Sequence, residues 1–293
     1  MIALASHTTP SAEAVFITGA GSGIGRAVTT SLLAKGYTVF GGVISADEAA
    51  ELRNVLAGDF TAVEIDVRDE ASVQAAADQV ADRLGGRPLR AVLNVAGIIT
   101  NGPLVDLSAE TFGQVLAVNL VGTHAVTRAF VPLLREHPHA RVINMSSASG
   151  SRTMPFTGAY SASKFGVEAL SSAMRMELAA LGIDVVVIAP GLINTPMAAK
   201  IQQDLAQPPS LPVYREPMRR FLERTEASIK NGIPIQRVVD SIMEAVQKPS
   251  PSTRYELHNN FLRDVVLMRV LPTRHREAIV RKALRLAGDG DRR

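Results

Sequence analysis

Short apolar runs alternating with longer helical patterns constrain the fold of this chain more than any other feature. Residues 14–18, 37–40, 61–65, 91–94, 141–144 and 184–188 are strand candidates, rich in Val and Ile and with little alternation of polar and apolar residues. Between them lie stretches of helical period. One carries Val28, Leu32 and Leu33, and another, opened by Ser108 as an N-cap, carries Phe112, Val115 and Leu116. Strands apolar on both sides, joined by crossover helices, predict a parallel sheet with helices on both faces. The chain therefore reads as α/β, a doubly wound parallel sheet.

At 293 residues, with 46% hydrophobic and 20% charged residues, the chain is large enough to bury one core. A net charge of +3 gives no reason to expect nucleic acid as a partner. The absence of Cys excludes disulfides and thiolate chemistry and fits a reducing compartment. Residues 1–14 lack the basic start and apolar run of a secretory signal and read as a disordered lead-in. No uninterrupted apolar run approaches the roughly 20 residues that span a bilayer. The expectation is a cytoplasmic protein that could still rest on a membrane surface.

Two regions interrupt the rhythm. Residues 193–232 hold five prolines and several Arg–Glu pairs, and read as a lid over a ligand cleft or as an irregular surface connection. The extension 261–293, which follows the main domain of residues 1–260, carries nine Arg or Lys against four Asp or Glu. A helix opening at Pro272-Thr273 would put Ile279, Val280, Ala283, Leu284 and Leu286 on one broad face, with Arg274, Arg276, Arg281, Lys282 and Arg285 supplying charge. One reading packs this helix on its own domain or on a sister subunit. The other lays it on an anionic membrane as a peripheral contact.

Thr18-Gly19-Ala20-Gly21-Ser22-Gly23-Ile24-Gly25 lies between the first strand and the first helix. Glycines there allow a tight turn and close approach of a pyrophosphate, and the helix N-terminus offers free N–H groups to it. Asp66-Val67 closes the third strand, and Asn94-Val95-Ala96-Gly97 the fourth, at the sheet edge where ligands of open α/β sheets bind. Taken alone, Asp66 could be a strand-end cap and 94–97 a plain turn. In context, the glycine turn points to a Rossmann-type dinucleotide site.

Tyr160 and Lys164 stand four apart in a helical stretch and share a face. A nearby ammonium would lower the phenol from about 10 toward working pH, making Tyr160 a general acid for ketone reduction and a general base for alcohol oxidation. Ser147 follows the strand at 141–144 and could hydrogen-bond a substrate oxygen. Asn119 is a polar residue in an apolar helical pattern.

Residues 18–25, 94–97, Asn119, Ser147, Tyr160 and Lys164 resemble, in order and spacing, the short-chain dehydrogenase/reductase family over about residues 13 to 200. The resemblance implies NAD(P)-dependent hydride transfer on an alcohol or carbonyl. Tyr160 would exchange the proton, Ser147 orient the carbonyl, Lys164 hold the nicotinamide ribose, and Asn119 organise a water relay to Lys164. Pro190, Gly191, Ile193 and Thr195 resemble the segment that holds the nicotinamide amide. The family commonly places an acid (for NAD) or a base (for NADP) at the end of the second strand, where this chain has Val43-Ile44-Ser45. With no base at Val43, Ile44 or Ser22, the reading leans to NAD.

Met154, Pro155, Phe156, Met197 and Ile201, with Leu205, Leu211, Val213 and Tyr214 in the lid, would form an apolar wall. Such a wall suits a small hydrophobic substrate, as in the hydroxysteroid- and retinol-dehydrogenase-like branch that the chain resembles. A 3-oxoacyl-thioester reductase and a non-catalytic nucleotide-binding regulator are the alternatives. The resemblance also implies a homo-oligomer, formed through the long helices before and after Ser147.

Overall fold

The computed structural model describes residues 13–258 and 271–286. The expected lead-in up to residue 12, and stretches 259–270 and 287–293 of the basic extension, lie outside the described residues. Seven parallel strands form one sheet in the order β3-β2-β1-β4-β5-β6-β7. They are β1 (Ala14–Thr18), β2 (Thr38–Val43), β3 (Phe60–Glu64), β4 (Leu89–Asn94), β5 (Arg141–Met145), β6 (Asp184–Pro190) and β7 (Arg254–Leu257). The first six match the sequence-predicted strands to within a few residues. The seventh has no counterpart in that reading, because its RYEL segment is a half-buried edge with no apolar run.

Successive side chains along each strand enter opposite faces. Val15 and Ile17 join one core layer with Val28 and Leu32 of α1 (Gly23–Ala34) and Ile242 of α9 (Ile235–Gln247). Phe16 enters the other layer, beneath α3 (Glu70–Leu84) and α5 (Gly122–Leu134), where its ring stacks on Phe130 at 4.1 Å. The helical run Ala109–Leu134 comprises α4 (Ala109–Leu116), a π-turn (Ala117–Val121) and α5. Ser108 caps it, accepting the Thr111 N–H at 3.0 Å. Its length and apolarity would suffice to cross a bilayer, but Val126, Phe130 and Leu134 are fully buried against the sheet.

The segment 193–232 is largely helical. It folds as α7 (Pro196–Leu205), a 3-10 turn (Pro212–Tyr214) and α8 (Arg215–Lys230). Pro196 and Pro212 each sit in the first turn of their helices, where a missing N–H costs nothing. The remaining helices are α2 (Ala46–Val55), α6 (Gly158–Leu178) and α10 (Thr273–Leu284). The α10 helix starts at the residue pair predicted from sequence, and its Leu284, Val280 and Leu286 pack with Met218 and Phe221 of α8 in a third apolar cluster.

Candidate active site

The strand order turns back between β1 and β4, so the connections that follow them leave to opposite sides and a crevice opens beyond their carboxyl ends. Thr18 ties them together there, its hydroxyl accepting the N–H groups of Val95 and Ala96, both at 3.0 Å. Gly19 takes a left-handed φ of +69°, and a methyl on it would come within 3.0 Å of the Ala96 Cα. A methyl on Gly25 would lie 1.9 Å from the Gly19 carbonyl oxygen, so the turn closes on its helix only with glycine there. Ser22, the N-cap of α1, makes no side-chain cap, which leaves the helix's first N–H groups without a side-chain acceptor.

Gly19, Ser22, Gly23, Ile24 and Gly25 line a cleft of about 1170 Å³, and Ala96, Gly97, Ser147, Tyr160, Lys164, Pro190, Gly191, Ile193 and Thr195 line it with them. Among the described residues the lining includes Arg152, Lys164, Lys200 and Arg224 and no Asp or Glu. A glycine cradle, an uncapped helix N-terminus and a lining without carboxylates suit a dinucleotide's phosphates.

The other predicted residues stand behind or beside the cleft. Asn94 is buried, donating to Asn144 Oδ1 at 2.8 Å and Thr127 Oγ1 at 3.0 Å, and so links β4, β5 and α5. Asp66 pairs with Arg68 at 2.6 Å, and that hydrogen bond holds its carboxyl below the usual carboxylate range. Val67 packs on Gly122. Asn119, in the π-turn, accepts the Ile98 N–H at 2.8 Å and donates to the Ile98 carbonyl and Ser163 Oγ, both at 2.9 Å. It thus pins the backbone beside Gly97, where a methyl would come within 3.2 Å of Asn119 Oδ1 and 3.7 Å of Lys164 Nζ. Its side chain makes no bond to Lys164.

Helix α6 presents Tyr160 and Lys164 on one buried face, with Lys164 Nζ 5.6 Å from the Tyr160 ring centre. Ser147, which accepts the Ser149 N–H at 3.1 Å, also hydrogen-bonds Tyr160. One electrostatic expectation is corrected. Burial pushes the Tyr160 phenol up to about 12, with the Ser147 hydrogen bond pulling back, whereas the sequence reading had Lys164 lowering it. Burial pushes the Lys164 ammonium down to about 8, and its Nζ donates to the Met145 carbonyl at 2.8 Å. Desolvation outweighs the pair's mutual influence because both groups are enclosed.

At the far end, Ile99, Met154, Met197, Ile201, Phe221 and Leu284 line the space beside Tyr160, and Ile279, Val280 and Ala283 of α10 join them, whereas Pro155, Phe156, Leu205, Leu211, Val213 and Tyr214, expected in this wall, do not line it. The sequence places α10's apolar face correctly but gives no sign that it faces this cleft. Two further residues escape the sequence reading. Ser163 shares the Asn119 amide, and its position three residues after Tyr160 is the only hint of it. Glu48 lies against Gly21, its only signal being the Ser45-x-x-Glu48 spacing of a helix's first turn.

A nucleotide crevice whose mouth holds a buried phenol, an ammonium and a serine hydroxyl is the arrangement of a nicotinamide-dependent oxidoreductase. The chain belongs to the short-chain dehydrogenase family, whose description, short chain dehydrogenase, matches residues 13–206. It is 30% identical over 273 residues to an NADPH-dependent 3-dehydrocapnine reductase of Ornithobacterium rhinotracheale, covering 92% of this chain and 96% of that one. It is 33% identical over 261 residues to retinol dehydrogenase 5 of Mus musculus, covering 84% and 81%. A short-chain dehydrogenase/reductase from Burkholderia phymatum, solved in complex with NAD, superposes with a TM-score of 0.73 at 26% identity, covering 88% of this chain and 93% of that one. The chain is an NAD(P)-dependent oxidoreductase acting on CH–OH groups, of the hydroxysteroid- and retinol-dehydrogenase-like branch. Its cofactor is a nicotinamide nucleotide.

Proposed function

We propose that the protein interconverts a hydrophobic alcohol and its carbonyl, with Tyr160 as the proton-exchanging group. The carrying observation is the buried Tyr160 phenol, hydrogen-bonded to Ser147 and opening onto an apolar chamber. A bound nicotinamide nucleotide supplies or accepts the hydride. Tyr160, protonated well above neutral pH, gives its proton to the carbonyl oxygen in reduction and is left as the phenolate; oxidation runs the transfer in reverse, so the phenol must first lose its proton to solvent before it takes one from the alcohol. Ser147 donates to that oxygen as charge develops on it. Lys164, anchored on Met145, offers a cation to the nicotinamide ribose, and Asn119 holds the Gly97–Ile98 backbone against it. Gly19, Ser22, Gly23, Ile24, Gly25, Ala96 and Gly97 cradle the nucleotide, Asp66, Val67 and Asn94 shape its adenosine end, and Pro190, Gly191, Ile193 and Thr195 flank the nicotinamide.

The substrate is steroid-, retinoid- or lipid-like, because the wall beside Tyr160 is built from Ile99, Met154, Ile201, Phe221 and Leu284. The lid at 193–232 closes over it, and α10 forms its outer wall. Because α10 turns its apolar face inward, Arg274, Arg281 and Lys282 stay exposed toward solvent or an anionic surface, and vesicle flotation at low and high salt tests that contact. NAD is the preferred cofactor, since Arg26 and Arg68, the two nearby bases that could meet a 2′-phosphate, already pair with Glu51 and Asp66. Self-association runs through α4–α6, where Val121, Phe165 and Met176 are exposed. Steroids, retinoids, aliphatic alcohols and acyl thioesters assayed with both cofactors test the proposal. Turnover confined to acyl thioesters with NADPH would overturn it.

A further inference from the structure

No acidic residue stands at the end of β2, yet the fold brings a carboxylate there from the first turn of α2. Glu48 Oε2 accepts the Ile44 N–H at 2.9 Å, while Ser45, the N-cap, accepts the Glu48 N–H at 3.3 Å. This reciprocal pair resembles a capping box and fixes the side chain against the strand end. Its second oxygen points the other way, onto the glycine turn, where a methyl on Gly21 would lie 1.5 Å from Oε1. That oxygen accepts no hydrogen bond among the described residues. One carboxylate therefore spans the end of β2 and the middle of the glycine turn, with one oxygen held by the backbone and the other open.

In a Rossmann crevice an acid about 20 residues beyond the glycine turn hydrogen-bonds the 2′-hydroxyl of the adenosine ribose. We propose that Glu48 reads the 2′ position in this chain, accepting a hydroxyl and repelling a phosphate. The surroundings reinforce the repulsion. Asp47 is a second acid in the same helical turn, and the neighbouring bases are engaged, Arg26 by Glu51 at 2.9 Å and Arg68 by Asp66 at 2.6 Å. A 2′-phosphate would meet an added negative charge, with Arg26 and Arg68 already paired to acids. This inference rests on the nucleotide site proposed above and supplies the residue behind the preference for NAD.

The test is binary binding, measured by nucleotide fluorescence and calorimetry, so it does not depend on turnover. Wild-type protein is expected to bind NADH about tenfold or more tighter than NADPH, and ADP tighter than 2′,5′-ADP. Glu48→Gln keeps the cap, since Gln serves in capping boxes, but removes the charge. It should leave Tm nearly unchanged while NADPH and 2′,5′-ADP bind several-fold tighter and NADH weaker. Ser45→Ala removes the reciprocal cap without touching the charge, so it should lower Tm and leave the NADH-to-NADPH ratio as it was. If Glu48→Gln shifts Tm and moves both nucleotides together, Glu48 is only a cap and the proposal is overturned. An unchanged ratio overturns it equally, with the nucleotide site left standing. If the wild type binds neither nucleotide, the site itself is wrong and this proposal falls with it.

Discussion

The two ends of the cleft are shaped by different physics. At the nucleotide end the walls are backbone. Gly19 lies within van der Waals reach of Ala96, Gly25 closes on the Gly19 carbonyl, and the Thr18 hydroxyl clamps both ends together. At the substrate end the walls are side chains from separate elements, among them Ile99, Ile201, Phe221 and Leu284 of α10, with Phe156 tilted against Phe221 behind them and edge-on to Tyr214. Backbone walls accept almost no substitution at a few positions and nearly any elsewhere. Side-chain walls accept volume-conserving exchange but change the shape of the ligand space with each one. The molecule can therefore keep one cofactor while its substrate drifts.

Tyr160 sits where the two ends meet, and changing it should separate them most sharply. Tyr160→Phe keeps the ring that packs in the apolar cluster and removes the proton, so turnover should fall by about 10²–10⁴. Nucleotide affinity, measured by fluorescence titration, should hardly change. Near-normal turnover in a folded variant would break the assignment.

Gly25→Ala attacks the backbone wall. Its methyl would need the Gly19 carbonyl to move, at a cost of about 1–3 kcal/mol. Nucleotide Kd should rise ten- to a hundredfold, with the substrate wall intact. At the other end, truncation after Leu271 removes α10 and exposes the chamber. Nucleotide Kd should stay unchanged while KM for a hydrophobic substrate rises about tenfold, the scale of one lost Leu contact. If truncation alters nucleotide binding more than KM, the two ends are not independent.

The same contrast explains what is legible in the sequence. The glycine turn and the Tyr160–Lys164 pair can be read because their geometry is local: a strand–turn–helix in one case, a four-residue helical spacing in the other. Helices α7 and α8 are obscured by Pro208, Pro209 and Pro212 and by the charge of α8, whose buried Met218 and Phe221 identify its inner face only once the sheet is in place. Glu48 is only half legible. Ser45-Ala46-Asp47-Glu48 has the spacing of a capping box, but spacing does not record that the second carboxylate oxygen comes to rest on Gly21. Asn94 carries the family pattern, but its amide serves the sheet interior, which only the β4–β5 register reveals.

The smallest expected effect concerns Lys164, the residue at the seam between the two ends. Burial lowers its ammonium from the ordinary 10.5 to about 8. In the folded state the proton leaves near pH 8, and in the unfolded state near 10.5, so between those values the unfolded chain binds more protons and folding stability rises with pH. Below pH 8 both states are charged and the folded protein bears the full desolvation cost, which a drop of this size puts at about 3 kcal/mol. Lys164→Met removes that cost but leaves the Met145 carbonyl without its donor, which returns about 1–3 kcal/mol. Denaturant unfolding without nucleotide should therefore find the variant as stable as wild type or up to about 2 kcal/mol more so at pH 7, with its relative stability falling as pH rises from 8 toward 10.5. Tyr160, held near 12, is common to both proteins and cancels from the difference. If the difference between the two proteins stays flat across that range, the ammonium is not desolvated as the structure has it. Nucleotide affinity in the same variant should fall, because the cation that costs stability in the free protein is the one offered to the ribose.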